Sequence, residues 1–160
     1  MTINKMPNEK DVRDTLSGLL FRDCAIAPGE PVVPAPAAPV TIGVYVDDRL
    51  ATAAVVVADL ALSAYAGAAI GLIPPGGAKA AIEDKELSPT VKENLDEVLN
   101  VLASLFNAKG EPHVRLYKTY GLRELPPNDI LAVTGQLVRR LDVAVSIAGY
   151  GKGHLSIVLA

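Results

Sequence analysis

The stretch SPTVKENLDEVLNVLASLFNAKG, residues 88–110, carries the strongest local signals in the chain. Ser88 is a good N-cap, Pro89 suits the first helical position, and Gly110 suits a C-terminal stop. At about 100° per residue, Val91, Leu95, Val98, Leu99, Leu102, Leu105 and Phe106 fall on one broad apolar face. This spacing predicts a long amphipathic helix laid on a core. Glu93, Glu97, Asn100, Ser104 and Asn107 form a second stripe on the opposite side, within about 80° of arc. The stripe contains neither Lys nor Arg, whereas an ordinary solvated face mixes charge signs. Asn is also a poor helix former, because its amide competes for backbone bonds. Two Asn on one exposed stripe cost about a few tenths of a kcal/mol each. A cost with no packing gain points to a functional face.

Working outward, Asn8 to Phe21 reads as a shorter amphipathic helix capped by Asn8, with Val12, Leu16, Leu19 and Leu20 at helical spacing. Pro28 to Pro39 is rich in Pro and Ala and favours extended geometry, so residues 1–39 read as a helix and tether ahead of a domain at 40–160. Val40–Val46 and Leu50–Val57 read as a hairpin turning at Asp47-Asp48-Arg49. Asp59 caps a helix from Leu60 to about Ile73, whose Ala66, Gly67, Ala68 and Gly71 permit close approach by another element. Pro74-Pro75-Gly76-Gly77 ends it. Beyond residue 110, strands are expected at Val114–Tyr120, Ile130–Thr134, Leu141–Ala148 and His154–Leu159, the last pair joined by a turn at Tyr150-Gly151-Lys152-Gly153. The order gives an α/β (α+β) fold with a mostly antiparallel sheet packed against two long helices.

Composition narrows the function. A chain of 160 residues, half of them apolar but without Trp, builds its core from Val, Leu, Ile and Ala. A net charge of −3 argues against a nucleic-acid binder held by phosphate contacts. The single Cys24 cannot form an internal disulfide and fits a reducing, cytoplasmic setting. Met1 to Phe21 is too polar for a signal peptide. Ala51 to Pro75 is long enough to span a bilayer, but Asp59 near its middle and the β-branched run Val55-Val56-Val57 favour a buried strand followed by a buried helix.

Lesser features read as structural. Gly149-Tyr150-Gly151-Lys152-Gly153 lacks the helix that a phosphate loop requires. Asp47 and Asp48 suit a solvated turn, Arg139-Arg140 a solvated strand end, and Cys24 a plain thiol. His113 and His154 have no zinc-site spacing.

Glu97-Val98-Leu99-Asn100 resembles the Glu-x-x-Asn signature of the CheC/CheX/FliY chemotaxis phosphatases. Where that family has Asp or Ser four residues before the Glu, this chain has Glu93. Where it often has small residues just before the Glu and the Asn, Asp96 and Leu99 stand here. The hairpin and Ala-rich helix ahead of the motif, Leu125-Pro126-Pro127-Asn128-Asp129-Ile130 after it, and the terminal hairpin Val145–Gly149 and Gly153–Ile157 resemble the family in order. The resemblance covers about Val40 to Ala160. The Asp59 helix holds no Glu and no Asn, so one motif is present, as in CheX-like members.

The resemblance implies a homodimeric phosphatase of a phosphorylated CheY-type receiver domain. Asn100 would orient water toward the aspartyl phosphate, and Glu97 would pair with the receiver's lysine. Glu93, Ser104 and Asn107 would contact the partner. The chain would supply no metal ligand, since the receiver brings its own Mg²⁺. No nucleic acid and no membrane insertion are expected. Glu93 and Leu99 leave open a non-catalytic module like the FliM middle domain, because a bulky residue beside Asn100 would obstruct a partner. A plain oligomerisation domain with a merely solvated stripe is the third reading.

Overall fold

A computed structural model describes residues 3–160. Helix α1, Glu9–Leu20, starts in a capping box in which Asn8 and Asp11 each accept the other's backbone amide. Strand β1, Cys24–Pro28, follows, then the hairpin β2, Val40–Asp47, and β3, Thr52–Asp59. Helices α2, Leu60–Ile70, α3, Pro75–Asp84, and α4, Pro89–Leu102, come next. A 3₁₀ turn over Ala103–Phe106 extends α4. Strand β4, Val114–Tyr120, helix α5, Asn128–Thr134, and the hairpin β5, Arg140–Ile147, with β6, Gly151–Leu159, complete the chain.

All six strands form one antiparallel sheet in the order β1-β5-β6-β3-β2-β4. Strand β3 is central and buried on both faces, so its run of Val and Ala has no polar alternation. Ala54, Val56 and Ala58 face α1, α2 and α4 through Leu16, Leu62, Leu95 and Leu99. Val55 and Val57 face the other way, onto Ile130 of α5 and Val32 of the Pro/Ala segment. The apolar run 51–75 is thus β3 followed by α2, and among the described residues no helix is long and apolar enough to cross a membrane.

Close approach between α2 and α4 depends on Gly67. A Cβ there would lie 2.7 Å from the carbonyl oxygen of Val91. The Asn94 amide uses that proximity to donate to the Gly67 carbonyl at 3.0 Å. On its other side α2 buries Ala64 and Ala68 against Ala78 of α3.

Four expectations need correction. Ile130–Thr134 is not a strand but most of α5; Pro127 precedes its first turn, and the buried residues Ile130 and Thr134 sit four apart on one helical face. Helix α2 stops at Ile70 with Gly71 as its cap, short of Ile73, and Pro74-Pro75-Gly76-Gly77 opens α3 instead of ending α2, with Pro75 in the first turn where its missing N–H costs nothing. The β5–β6 turn is Ala148-Gly149-Tyr150, two to three residues earlier than expected, with Gly149 at φ 83°. Arg139 and Arg140 are not merely solvated: Arg139 donates to the Ala160 and Ile3 carbonyls, and Arg140 pairs with Asp142 at 2.8 Å.

Residues 3–39 share the core. Helix α1 buries Val12, Leu16 and Leu20 in the same cluster as α4, and β1 extends the sheet along β5. The chain then turns at Gly29, where a Cβ would meet the Val143 backbone at 2.7 Å. The Gly29 amide donates to the Asp142 carbonyl at 3.1 Å, and the Val32 amide donates to Ser156 Oγ at 2.8 Å. Ser156 in turn donates to Asp142 Oδ1 at 2.5 Å. The Pro/Ala segment is laced to β5 and β6 through this network.

Candidate functional site

Helix α4 begins at Ser88, whose hydroxyl accepts the Val91 amide at 3.2 Å, with Pro89 in the first turn. Val91, Leu95, Val98, Leu99 and Leu102 are buried, as the periodicity requires. Glu93, Glu97, Asn100, Ser104 and Asn107 are all exposed. The expected stripe therefore exists as a surface on the side of α4 turned away from the sheet.

Among the described residues, the side chains of Glu93, Glu97, Asn100 and Ser104 make no hydrogen bond or ion pair. Glu97 and Asn100 stand three positions apart, neighbours on one helical face. The one basic residue of α4, Lys92, lies off the stripe and leans toward Glu124 at 3.9 Å. The stripe thus offers a free carboxylate beside a free, neutral amide. Such a pair can take a cation with one group and hold a water with the other.

Asn107 differs from the rest. Its amide donates to the carbonyls of Ala103 at 3.1 Å and Val114 at 2.8 Å, and its side-chain oxygen accepts the Val114 amide at 2.7 Å. This residue fastens the end of the 3₁₀ turn to the start of β4. Ser104 borders a cleft of about 220 Å³ whose far wall is α1, through Asp11, Asp14 and Thr15. The N-terminal helix thus adjoins the lower end of the stripe, which no sequence signal indicated.

Leu99 does not stand beside Asn100 at the surface. It is 1% exposed and packs in the core, so it obstructs nothing there. Asp96 also turns away from Glu97. It lines a cleft of about 190 Å³ with Thr41, Leu95, Thr119 and Leu122, and its Oδ1 is buried without a hydrogen-bond partner. Burial pushes its carboxyl above the ordinary range, against smaller opposing effects of Thr119 and Lys92.

The other polar candidates have local work. Asp47 accepts the amides of Arg49 at 2.9 Å and Ala51 at 3.0 Å; the bond from Ala51 is the main reason its carboxyl lies below the ordinary range. His113 lies 3.0 Å from Asp48, and His154 lies 3.1 Å from Asp59, the cap of α2. Cys24 is a buried free thiol, pushed up by that burial. Among the described residues no group of three or more His, Cys, Asp or Glu gathers as a metal site.

Solved structures share this architecture. A chain of the H. pylori FliM–SpeE complex aligns with a TM-score of 0.59 over 94% of this chain and 80% of its own, at 12% identity. Thermotoga maritima FliY aligns with a TM-score of 0.59 over 92% of this chain and 82% of its own, at 17% identity. The fold is that of the CheC/CheX/FliY family. The H. pylori FliM middle domain also matches, with a TM-score of 0.53 over 94% of this chain and 84% of its own, at 12% identity. No family model and no curated protein matches the sequence. Within the FliY-type fold, the helix bearing Glu97 and Asn100 is open, whereas α2 is largely buried between α3 and α4 and presents no second motif.

Proposed function

We propose that this chain docks on a phosphorylated receiver domain of the CheY type and speeds loss of its aspartyl phosphate. The observation that carries this reading is the pairing, on one open helical face, of an unengaged Glu97 with an unengaged Asn100. The FliY-type fold around that face supports it.

An aspartyl phosphate is an acyl phosphate and is already prone to hydrolysis, so the enzyme has only to place water and bear charge. The Asn100 side-chain oxygen accepts a hydrogen bond from one water and turns its lone pair toward phosphorus. The water oxygen forms the new bond to phosphorus as the bond to the aspartyl oxygen breaks. That electron pair returns to the receiver's carboxylate, and inorganic phosphate leaves carrying both of the water's hydrogens, as dihydrogen phosphate. Asn100 stays neutral throughout. Glu97 pairs with the receiver's lysine and sets the register of docking. Glu93 and Ser104 extend the contact, and Asn107 holds the end of the helix in place. Mg²⁺ comes with the receiver. The acidic stripe repels the departing phosphate instead of trapping it. The same family resemblance makes a homodimer and an intracellular site the expectation.

The test follows the decay of a phosphorylated CheY-type receiver with and without the protein. Acceleration that falls by about 10²-fold in Asn100→Ala, with an unchanged melting temperature, is the expected result. An Asn100→Ala variant with full activity would overturn the role of the amide. Binding without acceleration would make the chain a FliM-like docking module, and neither binding nor acceleration would leave only the fold.

A further inference from the structure

Tyr45 of β2 is the largest of the fully buried side chains. A phenol buried this deeply requires an acceptor for its hydroxyl. It finds one in the main-chain carbonyl of Leu99, to which it donates at 2.5 Å. That carbonyl closes the peptide unit that begins Asn100. In a continuing α-helix the carbonyl of Leu99 would accept the amide of Ala103. Here the Ala103 amide bonds to the carbonyl of Asn100 instead, and the chain tightens into the 3₁₀ turn over Ala103–Phe106. The Leu99 carbonyl, left without the Ala103 amide, takes the phenol instead, and the helix type changes at Ala103, three residues beyond Asn100. The Tyr45 ring also meets Phe106, the last residue of that turn, edge-on at 5.0 Å and 81°. Burial drives the phenol's ionisation far out of reach, so its proton stays on the hydroxyl.

We infer that Tyr45 is a positioning residue for Asn100: from inside the core it fixes the backbone on which the amide is mounted, through the Leu99 carbonyl and the turn that follows. This rests on the phosphatase reading of the stripe. The side chain touches no reactant. Its effect on the reaction is to hold the Asn100 amide in one orientation before a receiver docks.

Tyr45→Phe keeps the ring against Phe106 and removes only the hydroxyl. With the intact chain and a phosphorylated CheY-type receiver, the rate at saturating receiver should fall about tenfold while the half-saturating receiver concentration stays unchanged. The side-chain amide resonances of Asn100 should shift as well. Val143→Ala, a core truncation in β5, three strands from β2 in the sheet, should lower stability yet leave both readouts alone. Wild-type turnover by Tyr45→Phe with unshifted Asn100 resonances would overturn the inference. If the unmodified protein fails to accelerate decay, the phosphatase reading falls, and the resonances alone decide the positioning: shifted supports it, unshifted overturns it. Should Tyr45→Phe not fold, the unmodified protein still decides. A slowly exchanging Tyr45 hydroxyl proton is expected, and a hydroxyl exchanging freely with bulk water would overturn the inference.

Discussion

Asp96 and Leu99 flank the two motif residues in sequence, and at about 100° per residue each is carried off the surface its neighbour occupies. Leu99 stands next to Asn100 in sequence, which suggests an obstruction, but the same wheel that defines the stripe places its side chain inside. Asp96 was less legible, since nothing local announces that its oxygen is sealed without a partner. The native carboxyl holds its proton more tightly than the unfolded chain does, because burial raises its pKa. That contribution to stability is complete below the ordinary carboxylate value of about 3.9 and is lost as pH rises through the raised native value. Asp96→Asn should therefore be more stable than the parent at neutral pH, and the gap should close on acidification. Urea melts at both ends of that range check this; a gap that persists or widens in acid would contradict it. At the neighbouring position, Glu97→Ala should raise the receiver concentration needed for half-maximal effect, whereas Asn100→Ala should lower the maximal rate. Titration of the receiver in the decay assay separates the two.

Elements with a strong period were readable and short ones were not. Helix α4 follows from Ser88, Pro89 and an unbroken apolar face. Ile130-Leu131-Ala132-Val133-Thr134 is too short and too β-branched for its period to distinguish strand from helix. What decides is tertiary: Ile130 covers Val55 and Val57, and the Thr134 hydroxyl folds back onto the Leu131 carbonyl at 2.7 Å. The Pro/Ala segment misled for a related reason. Its prolines exclude it from the sheet interior, but the ties that hold it come from Asp142 and Ser156, more than a hundred residues away. Ser156→Ala should leave the Val32 amide unsatisfied and cost about 1–3 kcal/mol. Limited proteolysis should then cut within residues 30–39 sooner than in the parent. Asn107→Ala should cost a similar amount, about 1–3 kcal/mol by chemical denaturation, because the Val114 amide and carbonyl both lose their partner.

Taken whole, the molecule is a three-layer structure whose acidic helical face looks outward from one side of the sheet. Its net charge of −3 and a stripe without cations favour a partner that presents basic groups. Association with a receiver should weaken as salt rises from about 0.05 M to about 0.5 M, mainly through a slower on-rate. Stopped-flow binding at those salt levels measures it, and an affinity indifferent to salt would mean that the stripe does not guide docking. Fold class, the motif helix and both hairpins were legible because they depend on local period and turn chemistry. Strand order and the contribution of residues 3–39 to the core were not, because they depend on partners distant in the chain.

That strand order has a consequence for how the chain assembles. Strand β6 follows the other five strands in the chain, yet it lies between β5 and β3. Without β6, the native pairings leave β1 with β5 and β4-β2-β3 as two separate ribbons, each with an open edge where β6 goes. The seam closes only when β6 slots between them, and that step pairs residues as distant in the chain as Ala54 and Leu159. Folding should therefore be slow for a chain of this size. A nascent chain halted before residue 151 should be sticky, exposing two open strand edges that β6 covers in the full sheet.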